Sequence, residues 1–320
     1  MRRRRKAVFF YRDCALPLGL EVSGELRLIR VYSVKEKELV ITDVKSQEEM
    51  NALAEKVERA WVDCWDCNDD ETMIISKLIG VEATTLDGIE NGKVRPSYAK
   101  CRDEECPYYT WISTPVVEFA GELKLHPLSI IIRERFLITL RTGYSSRIID
   151  SAIRRFKILR REERKPSVTL VGLLAEIIDE NSLAMVSIRD LIDKIEEKAL
   201  EKPRKKAITQ SIFKLKRGLA TLQQLLWAEK ELLSDLTVGV IPRLRLAPEA
   251  KPFVEDSVDD INRMLEIVGS YNTSLDSILR LQDLGSIHRV ETNLVYLTIT
   301  LVILTIITIT LEIAARIAGA

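Results

Sequence analysis

Between Thr292 and Leu311 the chain runs for twenty residues, TNLVYLTITLVILTIITITL, without one charged side chain. As a helix rising about 1.5 Å per residue, such a run is roughly 30 Å long, the thickness of a bilayer hydrocarbon core. A buried core helix is the other way to hide the run, but core helices seldom extend this far without a charge. The segment predicts one membrane-spanning helix over residues 292–313. Met1 to Lys6 (MRRRRK) supplies a basic start, yet the apolar stretch Ala7 to Tyr11 is too short for a signal core. Residues 1–290 are therefore expected in the cytoplasm and the chain in the cell membrane. Arg280 and Arg289 before the run and Arg316 after it agree only weakly with that orientation.

The remainder is composed like a folded protein. Hydrophobic residues make up 46% and charged residues 30%, too apolar for general disorder. With 48 basic and 48 acidic residues the formal net charge is zero, which removes the usual electrostatic basis for nucleic-acid binding. Residues 7 to about 142 read as mixed α/β. Strand-like runs are Lys6–Tyr11, Leu26–Tyr32, Glu38–Thr42, Ala60–Cys64, Tyr108–Ser113, Leu128–Ile132 and Phe136–Arg141. Ser46 with Glu49, and Asn68 with Glu71, have the spacing of helix-capping pairs, predicting helices over about 47–59 and 69–79. Gly80 suits the end of the second.

After Thr142 the strand signals stop. Residues 147–160, 167–200 and 203–236 read as helices, and Pro242, Pro248 and Pro252 mark a short connection. After Pro252 no proline interrupts the pattern. Val254, Val258, Ile261, Leu265, Val268, Leu275 and Leu279 recur on alternating steps of four and three, with Asn272 in one position. That is a coiled-coil seam in which a polar residue can fix register. Continued into the apolar run, this single helix would be roughly 90 Å long. A break at Gly285 into two helices is the other reading; glycine costs only about 1 kcal/mol inside a helix, which favours continuity. The fold class is an α+β membrane protein: a mixed α/β cytoplasmic domain over 1–145, a helical stalk region over 146–290 and a transmembrane helix over 291–315.

This order of elements, with local text, resembles the CorA family of magnesium transporters. Trp61-Val62-Asp63 before a capped helix is similar to the family's W-I-D-L strand. Leu78-Ile79-Gly80-Val81, Thr85-Leu86-Asp87 and Arg95-Pro96 resemble its L-G-L-H-P-L, L-E-D and R-P-K run. Phe136-Leu137-Ile138-Thr139 matches its F-L-I-T strand, and Leu215 to Trp227 resembles its L-K-R…W helix. The likeness covers about residues 25–311. Two departures stand beside it. The family's first membrane helix ends in Gly-Met-Asn, where this sequence has Ala315, Arg316 and Ile317, and the residues up to Ala320 leave no room for the family's second membrane helix.

The resemblance implies a homo-pentamer that conducts magnesium or another divalent cation. On a helical wheel Thr298, Leu301, Thr305, Thr308 and Glu312 fall within about 80° of one another, and in the family that stripe lines the pore. An intramembrane carboxylate is costly unless it meets water, a cation or a partner. A ring of Glu312 carboxylates would attract a divalent ion or protons; a solvated Glu312 at the membrane edge near Arg316 is the other reading. The family also binds regulatory magnesium at the stalk base. Its acidic positions correspond to Asp256, within Glu255-Asp256 and near Asp259-Asp260, and to Asp87; a solvated acidic face is the alternative. Non-conducting service as a membrane-anchored regulatory or structural subunit is the second function these residues allow.

Cys64 and Cys67 form C-x-x-C, and Cys101 and Cys106 form a wider pair, the minimum for a structural four-thiolate zinc site. Two disulfides or unpaired core thiols fit the same spacing. An enzyme is not expected. The chain has two histidines, His126 and His288, in different regions, and no glycine-rich phosphate loop.

Overall fold

The structure, a computed structural model, describes residues 29–35, 38–81, 86, 96–98, 108–141, 145–158, 165–201 and 206–318. The strand expected at Lys6–Tyr11 lies outside these residues. Seven strands form one sheet: β1 (Ile29–Lys35), β2 (Glu38–Val44), β3 (Ala60–Trp65), β4 (Ser97–Tyr98), β5 (Thr110–Phe119), β6 (Leu123–Arg133) and β7 (Phe136–Arg141), in the order β2-β1-β3-β7-β6-β5-β4. Neighbours run antiparallel except β3 and β7, which are parallel. The β5–β6 hairpin is much longer than its sequence signals. Pro115 and Pro127, which truncate those signals, face each other across it. With no N–H on either, they form a non-hydrogen-bonded pair whose outer edges lie just past the ends of β4 and β7.

Two helices cover one face of the sheet, α1 (Gln47–Lys56) and α2 (Asp69–Ile79). Ser46 caps α1 by accepting the Glu49 amide at 3.2 Å. For α2 the capping box is complete: Asn68 Oδ1 accepts the Glu71 amide at 2.8 Å, and Glu71 Oε2 accepts the Asn68 amide at 2.9 Å. Gly80 ends α2 at φ 75°, a left-handed conformation that favours glycine. A side chain there would also collide with Arg133, whose Nη1 donates to the Leu78 carbonyl at 2.9 Å.

The opposite face carries the other helices: α3 (Ser146–Ile158), α4 (Pro166–Glu201), α5 (Lys206–Val238) and α6 (Lys251–Ala318). Trp61, fully buried, meets Phe156 of α3 edge-on at 6.2 Å and Tyr32 at 5.9 Å. Its Nε1 donates to Thr139 Oγ1 at 3.0 Å, and that hydroxyl donates to Asp63 Oδ1 at 2.6 Å. Arg141 completes the chain, with Nε 3.0 Å from Asp63 Oδ1 and Nη2 2.8 Å from Oδ2. Asp63 and Arg141 are both buried and join the parallel strands β3 and β7 side chain to side chain.

Helices α4, α5 and α6 pack as a bundle, each with a heptad seam. On α5 the buried positions step by four and three through Leu215, Leu219, Leu222, Leu226, Glu229, Leu233 and Leu236; on α4 they run through Leu174, Ile178, Asn181, Met185, Ile188, Ile192 and Ile195. The α6 stripe is centred on Val254, Ser257, Ile261, Met264, Val268, Leu275 and Ile278. This corrects the expected seam: Val258, Leu265, Asn272 and Leu279 are only half-buried, because α6 packs against both α4 and α5 and its stripe starts one residue earlier at every second contact. The polar pair inside the bundle is instead Glu229 with Asn181, whose Nδ2 donates to both carboxylate oxygens at 3.1 and 2.9 Å. Burial pushes the Glu229 carboxyl up to about 8, against a smaller opposing pull from the Asn181 amide.

Two outcomes are expected. Asp63→Ala leaves the Arg141 guanidinium buried without its carboxylate and should destabilise the fold by about 3–5 kcal/mol, read as a fall in melting temperature in detergent; Asp63→Asn, which keeps an acceptor, should lose less. Glu229 binds its proton more tightly folded than unfolded, so its contribution is complete in acid and is lost as pH rises from the ordinary value of 4.5 through about 8. Melting temperature should therefore fall between about pH 5 and about pH 9 more steeply for the parent than for Glu229→Gln, with the variant the more stable at the alkaline end.

Candidate functional site

Helix α6 leaves the bundle and continues without interruption through Gly285 to Ala318, 68 residues in all. This is the continuous helix that the proline-free pattern predicts. Within it Asn293–Thr310 has mean hydropathy 2.1, and none of that window is buried against the rest of the chain. Large apolar side chains project on every side: Tyr296 and Leu297 are each 66% exposed and Leu301 69%. Water is a poor solvent for such a surface, and length and composition suit a bilayer crossing.

The threonines of this segment have one habit. Thr298 donates to the Leu294 carbonyl, Thr300 to Tyr296 and Thr305 to Leu301, each at 2.8 Å. Thr308 donates to Thr305 O at 2.8 Å, and Thr310 to Ile306 O at 2.9 Å. All five hydroxyls thus bond back to carbonyls of their own helix. Each hydroxyl proton is committed to the helix, so the oxygen offers outward only its lone pairs. Thr298, Leu301, Thr305 and Thr308 share one side of α6 at helical spacing. Glu312 lies on the helix two turns beyond Thr305, and its side chain falls outside the described residues.

Of the two acids expected to hold regulatory cation, Asp256 is among the described residues. Asp256 is exposed in the second turn of α6, beside exposed Glu255 and Asp259. Asp87 falls outside the described residues. Across from these acids, burial raises the carboxyl of Asp179 on α4, with Glu176 and, to a smaller extent, Asp260 of α6 adding to the rise.

The cysteines divide likewise. Cys101 and Cys106 lie outside the described residues, so the four-thiolate arrangement rests on sequence. Cys64 and Cys67 are paired as a disulfide where β3 turns into α2. Glu71 joins them: one of its carboxylate oxygens and the two sulfurs lie within 4.8 Å of one another. The sequence reading used Glu71 only as a capping acid. The signal for its second position was present, since a box closed by Asn68 folds the Glu71 carboxylate back over the start of the helix, next to Cys67.

Comparison with known proteins agrees with this architecture. The profile of the family described as "CorA-like Mg2+ transporter protein" matches residues 58–314. A cobalt/magnesium transport protein CorA from Thermotoga maritima is 23% identical over 255 residues, covering 78% of this chain and 69% of the relative. One of the same description from Methanocaldococcus jannaschii is 22% identical over 226 residues, covering 68% and 67%. The complete structure of the CorA magnesium transporter from Methanocaldococcus jannaschii superposes with a TM-score of 0.64 at 19% identity, covering 85% of this chain and 80% of that one. That structural likeness speaks for the fold: a sheet-and-helix domain, long helices and a terminal apolar helix. On the family match over most of its length, the chain belongs to the CorA-like Mg2+ transporter family.

Proposed function

We propose that this chain is a subunit of a divalent-cation channel or transporter, with magnesium as its ion, in which copies of α6 assemble as a homo-pentamer around a membrane pore. One observation carries the reading. The uncharged, fully exposed window Asn293–Thr310 is the direct continuation of a helix packed into a soluble bundle, and a stripe of hydroxyl oxygens runs along it. The water coat of a hydrated divalent ion presents hydrogens outward. Oxygens with committed protons offer it acceptors only, which matches a cation and mismatches a hydrated anion. Thr298, Leu301, Thr305, Thr308 and Glu312 are the proposed lining, and Glu312 supplies the negative charge that concentrates the ion. The names of the two CorA relatives, cobalt/magnesium transport proteins, support the ion class.

The soluble domain is proposed to face the cytoplasm, with Arg280 and Arg289 at that end of the span. Exposed Asp256, together with Asp87, is the proposed regulatory cation site, holding magnesium through its water shell. A second reading, a non-conducting anchored subunit, draws on one specific observation: Ala315, Arg316 and Ile317 stand where the family's Gly-Met-Asn is expected.

Carbonate washing should leave the protein in the membrane and detergent should release it; release by carbonate alone would exclude a spanning α6. Liposomes reconstituted with the purified protein and loaded with a magnesium-sensitive dye decide between the two readings. Conduction predicts uptake that falls at least about tenfold in Glu312→Gln with insertion and oligomer size unchanged, a charge-dependent loss. Absence of flux in the parent protein favours the anchor. Flux indifferent to Glu312→Gln moves the ion site to the threonines or to backbone carbonyls.

A further inference from the structure

Three local devices converge at the end of β3. Cys64 points to the α1–α2 face of the sheet and is fully buried. Asp66 then takes φ 49°, a left-handed conformation aspartate tolerates, and its amide is held by the Arg141 carbonyl at 2.9 Å. That reversal returns Cys67 to Cys64. Asn68 opens α2, and its capping box draws the buried Glu71 back towards the same point.

Two sulfurs and a carboxylate oxygen within 4.8 Å of one another are too close to be three free anions. With the disulfide open, the two sulfurs and the Glu71 carboxylate converge on one point, an arrangement a cation can occupy. The donor set decides which cation. Two thiolates and one carboxylate suit a borderline-soft, tetrahedral ion, with water in the fourth position, and do not suit magnesium, which requires six oxygens.

We propose that Cys64, Cys67 and Glu71 form a binding site for a thiophilic divalent cation of the zinc class, for which the metal and the Cys64–Cys67 disulfide are alternative occupants. A dithiol reductant opens the site: it transfers two electrons and two protons to the disulfide, giving two cysteine thiols, and is itself oxidised to a disulfide. Metal binding then releases the two thiol protons to solvent, and the cation keeps its oxidation state. The site is separate from the conduction path and uses different donor atoms, so it stands or falls independently of the transport reading.

The test uses the full-length protein in detergent, reduced with a dithiol under anaerobic conditions, desalted, and titrated with zinc against a chromophoric chelator and with cobalt in the spectrophotometer. The proposal expects one ion per chain, a tetrahedral cobalt spectrum with thiolate charge transfer, and no uptake by the air-oxidised protein. Cys67→Ser should abolish uptake. Glu71→Gln, which retains an acceptor for the Asn68 amide and hence the helix cap, should weaken zinc binding at least about tenfold. Reduced protein that takes up no zinc overturns the proposal. So does Glu71→Gln at parental affinity alongside loss of the metal in a Cys101→Ser, Cys106→Ser double variant, since that result identifies a four-thiolate site instead.

Discussion

The buried pair Asp63–Arg141 holds the architecture where the two parts of its sheet join. The sheet has two antiparallel halves, β2-β1-β3 and β7-β6-β5-β4, and they meet only where β3 and β7 run parallel. Parallel pairing is slightly weaker per residue than antiparallel, and these strands lie far apart in sequence. The two-pronged contact from Arg141 to Asp63, extended through Thr139 to Trp61, adds side-chain links across that joint. It faces the helical layer, so the same network sets the position of Trp61 against Phe156 of α3. A buried ion pair is not in itself a large gain over an apolar pair, but leaving either charge alone is costly, and this favours one register of β3 on β7.

From that sheet the chain builds outward to α6. Tyr98 of β4 donates to Asp235 of α5 at 3.0 Å, and Thr110 of β5 to the Pro242 carbonyl at 2.6 Å. These bonds anchor the end of α5 and the connection into α6. Because α6 is one helix of 68 residues, it is roughly 100 Å of unbroken hydrogen-bond ladder, packed in the bundle at its start and bare over Asn293–Thr310. The bundle fixes the rotation and tilt of that bare window by packing alone. The Glu229–Asn181 pair contributes to that register: sliding α5 past α4 by one heptad would part the carboxyl from its amide inside an apolar core.

Much of this was legible in the sequence, for identifiable reasons. Capped helices were readable because Asn68 and Glu71 sit three apart, and β7 because Phe136–Arg141 carries no proline or glycine. The apolar end of α6 was readable because an absence of charge over twenty residues has few structural meanings. The hairpin β5–β6 was underestimated because proline signals the end of a strand unless its partner is known, and the opposed Pro115–Pro127 arrangement is a property of the pair. The seam of α6 was displaced because heptad reading assumes one neighbouring helix, whereas α6 has two. Glu229 and Asn181 occupy heptad positions in their own helices, a signal readable in retrospect, but only their meeting in space shows why a polar residue is tolerated there. At the cysteines, the pairing of Cys64 with Cys67 was open to sequence, while the approach of Glu71 depends on the turn at Asp66.

The inward donation of the threonine hydroxyls has a mechanical consequence. A helix whose polar side chains relied on neighbours would be locked in azimuth, since turning it would strand a donor in lipid. Here Thr298, Thr300, Thr305, Thr308 and Thr310 all donate to carbonyls of their own helix. The apolar half of α6 can therefore roll about its long axis without sacrificing one of these bonds. What resists the roll is the packing of the earlier part of α6 against α4 and α5, so torque applied in the bundle reaches the apolar end along a shaft with little friction of its own.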